Sequence, residues 1–149
     1  GARALFMGGE INFNMDFLRH FNYRLVGEYV YTYNRDEHTA LSFSPPVSMR
    51  NILTWNKKDF QLYAEFQSIA SQNRIARNED RTSGACLIHL GGSIHIPIAK
   101  ADIEISLGIR NLSDVKYYNH LSFYRKVEIP EPGRNFQISI KVPFKQLLK

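Results

Sequence analysis

The chain of 149 residues is poor in the features that mark most functional classes. It has one cysteine, Cys86. No disulfide framework and no cysteine zinc site can be built from that within the chain. The phase of Cys86 puts it on an apolar strand face, where it reads as a small buried hydrophobe. No run approaches the ~18 apolar residues of a membrane helix. That excludes a helical membrane protein but not a barrel, whose strands need only ~9–11 residues. No low-complexity segment and no clear helical pattern occur. Basic residues outnumber acidic ones for a net charge of +5, yet they are scattered. Arg19, Lys57, Lys58 and Lys100 sit in turns, and Lys145 and Lys149 sit at the tail. No basic stripe with interleaved aromatics exists, so no nucleic-acid partner is expected. The chain opens on Gly1 without a leader pattern, and is expected to be the end of something longer with its targeting segment elsewhere.

Catalytic patterns are missing as well. His89 and His95 share a strand face but lie roughly 20 Å apart along it, too far for one metal ion. They read as hydrogen-bonding groups on the polar face. His20 falls at a turn, and His38 and His120 fall in long loops, so no zinc spacing appears. Ser, His and Asp are present without a nucleophile elbow. Gly91-Gly92 is followed by no helix and is no phosphate loop; inside a strand it marks close packing or a bend. Glu79-Asp80 lies between Arg77 and Arg81 and reads as a solvated charged loop. The chain is not read as an enzyme, and no cofactor or metal site is assigned.

What is present is alternation. At 44% hydrophobic and 22% charged, the chain is not of a disordered composition. Seven strands are predicted from period-two patterning: Ala4–Asp16, Phe21–Asn34, Met49–Asn56, Phe60–Ser71, Ala85–Ile96, Asp102–Leu112 and Asn135–Phe144. The connections alternate in length. Phe17–His20, Lys57–Asp59 and Pro97–Ala101 are short; Arg35–Ser48, Gln72–Gly84 and Ser113–Arg134 are long. Tight turns at one end and long loops at the other are the rhythm of an outer-membrane barrel. If the last strand descends to the periplasm, all three long loops point outward.

Each strand divides its residues by face. Phe60, Leu62, Ala64 and Phe66 oppose Gln61, Glu65 and Gln67. Ile103, Ile105, Leu107 and Ile109 oppose Glu104, Ser106 and Arg110. No Asp, Glu, Lys or Arg falls on an apolar face. Glu10, Asp16, Arg24, Glu28, Arg50, Glu65, Asp102, Glu104, Arg110 and Lys141 fall on the other. Exclusion is what lipid demands, since Arg or Lys at mid-bilayer costs ~2–4 kcal/mol. The third strand fits least well, because Asn51 is in phase with Met49, Leu53 and Trp55. Aromatics collect at strand ends, with Phe17, Phe21, Trp55, Phe60 and Phe144 at the turn end and Tyr31 and Tyr33 at the loop end. Such girdles suit a headgroup interface. A half-buried soluble sheet also alternates, so a secreted β-sandwich binding module stays open on alternation alone, as does a porin-like passive channel.

Further motifs bear on this. Asn111-Leu112-Ser113-Asp114 precedes Tyr117-Tyr118-Asn119-His120-Leu121-Ser122. Ile129-Pro130-Glu131-Pro132-Gly133-Arg134-Asn135-Phe136 leads into the last strand. This run resembles the closing hairpin of TonB-dependent outer-membrane receptors. Phe6-Met7-Gly8-Gly9-Glu10, the stretch from Leu41 to Pro45-Pro46, and Asn78-Glu79 to Thr82-Ser83-Gly84 are similar to strand and loop segments of the same family, in the same order. The resemblance implies an all-β, antiparallel up-and-down meander of about seven strands. Residues 1–144 would be the C-terminal segment of a large transmembrane barrel and 145–149 a short tail. It departs from the family pattern where Lys145 to Lys149 follow Phe144, which puts recognition through a terminal aromatic in doubt.

The resemblance further implies an uptake receptor in the outer membrane of a Gram-negative bacterium. Its ligand would be a scarce nutrient such as a ferric siderophore, haem, cobalamin or a glycan. Its partners would be membrane lipid and, through an N-terminal part outside this chain, the TonB complex. Asn111 and Asp114 are expected to bond backbone at the top of the sixth strand. Gly133 is expected to supply a positive φ, and Pro130 and Pro132 to stiffen the loop. Ligand contact falls to the outer loops: Arg74, Arg77, Glu79 and Arg81 on one, His120, Tyr124, Arg125 and Lys126 on another. Arg and Tyr there suit anionic or chelated cargo.

Overall fold

A computed structural model describes residues 3–98 and 101–143. Seven strands, β1 (Ala4–Phe17), β2 (Phe21–Asn34), β3 (Ser48–Lys57), β4 (Phe60–Ile69), β5 (Ala85–Ile98), β6 (Ala101–Arg110) and β7 (Asn135–Lys141), form one antiparallel sheet in sequence order. β1 and β7 are its two edges. The fold is all-β and up-and-down, the arrangement of a barrel-wall segment. Apart from the end of the last strand, no predicted boundary shifts by more than two residues. The fourth and sixth strands stop earlier, at Ile69 and Arg110, where the loops take over. The expected strand end at Phe144, the turn residue Lys100 and the tail 145–149 lie outside the described residues.

Register follows from the alternation. Because side chains repeat every two residues, a slip of one would exchange the faces of a whole strand. The ladders keep the apolar face together: Phe13 faces Leu25, Tyr23 faces Leu53, Leu53 faces Ala64, Ala64 faces Leu90, Leu90 faces Ile109, and Leu107 faces Ile138, with Asn51 opposite Leu25 as the exception.

Among the described residues nothing covers that apolar face. Phe136, Ile138 and Ile11 are 73%, 72% and 63% exposed. Among the described residues the only buried hydrophobic side chains are Ala40, Ala85 and Leu87, while ten polar or charged ones are buried. A soluble sheet would turn its greasy side into a core; here the dry positions lie on the polar side and beneath the loops. Cys86 follows the same rule. It lies on the apolar face, as its phase requires, but it is exposed rather than buried, because nothing packs on that face.

Asn51, the polar residue on the apolar face, has a local solution. The Tyr23 hydroxyl on the neighbouring strand donates to its Oδ1 at 2.6 Å. Tyr23→Phe is expected to destabilise the protein by about 1–3 kcal/mol by leaving that amide without a partner. Adding Asn51→Leu should restore most of the loss. Denaturant midpoints in detergent or lipid compare the two; a double variant as weak as the single would refute the pairing.

The polar face carries the charge. Glu65 accepts from Arg50 through Nε (2.8 Å) and Nη2 (3.3 Å), with Arg110 at 3.9 Å. His89 Nδ1 accepts from the Asn111 backbone N–H (3.0 Å), and the Gln67 carboxamide oxygen is 3.4 Å from Nε2. This fits a neutral imidazole in a hydrogen-bonding role. His95 is exposed. The Gly91 position is a close approach: an added Cβ would stand 2.6 Å from the Tyr63 ring, which lies across it.

Candidate functional site

Two short turns, at residues 18–20 and 58–59, lie at one end of the sheet, and three long loops lie at the other. We call the loops L1 (35–47), L2 (70–84) and L3 (111–134). L3 contains a 3₁₀ turn, Phe123–Val127, capped by the Ser122 hydroxyl accepting from the Tyr124 N–H. The alternation gave no sign of it.

L3 is anchored where the sequence indicated. Asn111, 3% exposed, exchanges hydrogen bonds with the Val115 backbone through both ends of its carboxamide, each 2.9 Å. Asp114 Oδ1 accepts from the Arg134 N–H at 2.7 Å and so clasps the two ends of L3. Gly133 acts differently from expectation. Its φ is not positive. Glycine is needed because a Cβ there would stand 2.6 Å from Asp114 Oδ1, so the requirement is space for the clasp, not backbone handedness.

The three loops meet at one carboxylate. Glu79 of L2 accepts from the Phe43 N–H of L1 (2.9 Å) and from Arg125 Nη2 of L3 (2.6 Å) through Oε1, and from the Ala76 N–H (3.2 Å) through Oε2. His120 Nε2 lies 3.3 Å from Oε1, off the line for a hydrogen bond, while its Nδ1 pairs with the Thr82 hydroxyl at 2.7 Å. Arg125 also donates to the carbonyls of His120 (2.8 Å) and Asp80 (3.1 Å). The side chains of Glu79, His120 and Arg125 are 3%, 0% and 5% exposed. Glu79 is therefore no solvated loop carboxylate. Loop-to-loop packing, which local charge spacing does not encode, removes it from water.

The remaining residues singled out from the sequence lie around this hub. Arg74 donates from Nη2 to the Thr32 carbonyl (3.1 Å) with its guanidinium 3.9 Å from the centre of the Tyr31 ring. Arg77, Arg81 and Tyr124 are exposed on the loop surface. Lys126 stands over the rings of Phe43 and Phe123, which pack 4.7 Å apart. Sequence reasoning missed the Phe43 N–H and Thr82. Neither bears a signal, since a backbone donor and a loop threonine gain meaning only from what reaches them. It also missed Gln72, which donates from Nε2 to the Ser44 (2.8 Å) and Pro45 (3.3 Å) carbonyls.

Burial pushes the Glu79 carboxyl up, but the Phe43 and Ala76 N–H groups and the charges of His120 and Arg125 outweigh it and hold it below the usual 4.5. Burial, with help from Arg125, holds His120 below the usual 6.5, against the pull of Glu79. Both shifts have the same consequence. Where the unfolded loops bind more protons than the folded ones, stability rises with pH. The hub is at full strength above about pH 6.5. It is expected to weaken as pH falls below the ordinary histidine value, and further as Glu79 protonates below the ordinary carboxylate value. Hydrogen exchange of the Phe43 and Ala76 amides against pH, with unfolding corrected for intrinsic rates, measures this; protection that is flat or rises towards acid would contradict it.

Beneath the hub, a cavity of about 240 Å³ opens between the 117–121 segment of L3, the Pro45-Pro46 bend of L1 and the polar faces of β2 to β4. Among the described residues, no group of three or more His, Cys, Asp or Glu side chains is placed to hold a metal ion. No helix is long and apolar enough to cross a membrane, which has no bearing on crossing by strands.

No family model and no curated protein match the chain. Among solved structures it is similar to the copper transporter OprC, with a TM-score of 0.84 and 26% sequence identity. The match covers 93% of this chain and 23% of that one. The chain thus corresponds to less than a quarter of the transporter's length.

Proposed function

We propose that this chain supplies barrel wall and outer loops to an outer-membrane, TonB-dependent uptake receptor for a scarce nutrient. The observation that carries the reading is the uncovered apolar face of a seven-stranded wall whose fold matches part of a transporter. An apolar face without a protein partner calls for an apolar solvent, and only closed barrels cross a bilayer with strands, because every backbone group must be paired there. The polar face then borders an enclosed passage, and the tied loops stand at its outer mouth. The nutrient is a small molecule, a metal ion or a metal chelate met by the outer loops, with Arg77, Arg81 and Tyr124 as exposed contacts. Energy coupling through TonB belongs to a plug and a TonB-binding segment outside this chain. The wall and loops bind and admit cargo; they carry out no chemistry on it.

Two measurements test this. The native protein should fractionate with the outer membrane and need detergent or lipid to stay dispersed. A monodisperse monomer in plain buffer would count strongly against the reading. Uptake of the cargo should stop when TonB is deleted. Uptake that continues unchanged would identify a passive channel with the same wall.

A further inference from the structure

The cavity beneath the loop hub has a charge bias that its neighbourhood hides. L2 and L3 are rich in arginine and lysine, yet among the described residues no lysine or arginine lines the cavity. The nearby guanidinium groups are committed elsewhere: Arg125 to Glu79, Arg74 to Thr32 and the Tyr31 ring, Arg50 to Glu65. The charged group on the wall is Glu28, an exposed side chain without an ion pair among the described residues. Its cross-strand neighbour on the same face is another carboxylate, Glu10. Like charges directly opposite disfavour the sheet; Arg50 on the adjacent strand feels the charge of Glu28 but is hydrogen-bonded to Glu65, so it offsets the Glu10–Glu28 pair only from a distance. Tyr117, Tyr118, Gln67 and Asn119 complete the lining. His120 forms part of it too, fully buried and with Nε2 lacking a hydrogen-bond partner.

We propose that this cavity is a subsite for an ammonium-bearing part of the cargo. Tyrosine rings beside a carboxylate that makes no ion pair among the described residues are the chemistry that receives an organic cation, and the ammonium of Lys116 already stands 5.8 Å from the centre of the Tyr118 ring. The amides of Gln67 and Asn119 supply hydrogen bonds for its polar neighbours. An anionic group would meet Glu28 with no lining cation to offset it. The cavity is smaller than the ~300–1,000 Å³ of drug-sized pockets, so it takes one group of a ligand and leaves the rest to the loops above. The inference rests on the uptake reading for what the cavity is for, but not for its charge preference.

The probes are the five-carbon diamine cadaverine, the diol of the same length, and the dicarboxylate glutarate, titrated at matched ionic strength into the protein purified in detergent from its native membrane. Alkyl ammonium groups of this kind titrate near 10.4, so the diamine is fully charged at neutral pH. Calorimetry or ligand-observed NMR should rank diamine above diol above dicarboxylate. Glu28→Gln keeps the shape and removes the charge. It should weaken the diamine about tenfold and leave the diol unchanged, with unaltered barrel mobility on unheated gels showing that the fold is intact. Equal binding of the three probes, preference for the dicarboxylate, or a diamine affinity indifferent to Glu28→Gln would each overturn the proposal. Failure here in a protein that resides in the outer membrane and takes up cargo through TonB removes the subsite alone; absence from that membrane removes the uptake reading instead.

Discussion

Leu90→Arg is expected to destabilise the protein in a bilayer by about 2–4 kcal/mol, while Ser93→Arg three residues along the same strand should change stability by no more than about 0.5 kcal/mol. Leu90 sits midway along β5 on the apolar face, between Ala64 on β4 and Ile109 on β6. An arginine there must leave water for hydrocarbon, or drag water in with it. Ser93 belongs to the polar face, between Gln61 and Ser106, where a guanidinium stays hydrated. The contrast is the informative quantity. In a soluble globule either residue could be the buried one, but only a lipid-facing sheet penalises the row that no other described residue covers. Urea unfolding from lipid vesicles reads both variants. If Leu90→Arg blocks assembly altogether, the milder Leu90→Ser should still lose more than Ser93→Leu. Equal losses on the two faces would rule out lipid as the solvent of the apolar face.

Glu79→Ala should release the loops without dissolving the sheet. The carboxylate is the single acceptor shared by L1 and L3, through the Phe43 N–H and Arg125. Removing it leaves Arg125 almost fully buried without its counter-ion. Breaking a buried pair in this way costs about 3–5 kcal/mol, much of it from the stranded charge. The loss should be local, because the hydrogen bonds of the Glu79, Arg125 and His120 side chains all go to loop residues and none to a strand. Loops L1 and L3 should become sensitive to protease and fast in hydrogen exchange, with β3 to β5 unchanged. Arg125→Ala should have a similar effect, and the double variant should cost far less than the sum, as coupled partners do. Additive losses, or loops as protected as before, would show that each loop is held by its own contacts.

The sheet was legible in the sequence because its determinant is local. Alternation along Phe60 to Gln67 assigns a face to each residue without knowledge of any neighbour, and turn spacing then sets which strands pair. Asn51 looked like a flaw in the third strand, and from one strand it is. The Tyr23 hydroxyl that resolves it belongs to the next strand, and only register brings the two together. The sequence marks Gly133 as necessary without showing why. Glycine is the usual signal of a positive φ, whereas here the constraint is an oxygen of Asp114, distant in sequence. Phase places Cys86 on the correct face but not in its exposed surroundings, since it says which way a side chain points and not what lies there.

The loops mark the boundary. Arg74, Glu79, His120 and Arg125 could be picked out as charged or polar residues in long connections, but composition could not separate those that meet cargo from those that hold the loops to one another. Which of them hold the loops to one another is decided by distances between segments more than thirty residues apart, and by burial that converts a surface carboxylate into a shared acceptor. The amino-acid order alone determined the strands, their faces and the placing of long loops at one end, because a two-residue period and turn chemistry act over a few neighbouring residues. Only the tertiary structure decided that the apolar face has no protein partner, that three loops are tied at one carboxylate, and that a cavity without lysine or arginine lies beneath an arginine-rich surface. Contact and burial belong to groups brought together by folding, and no local pattern carries them.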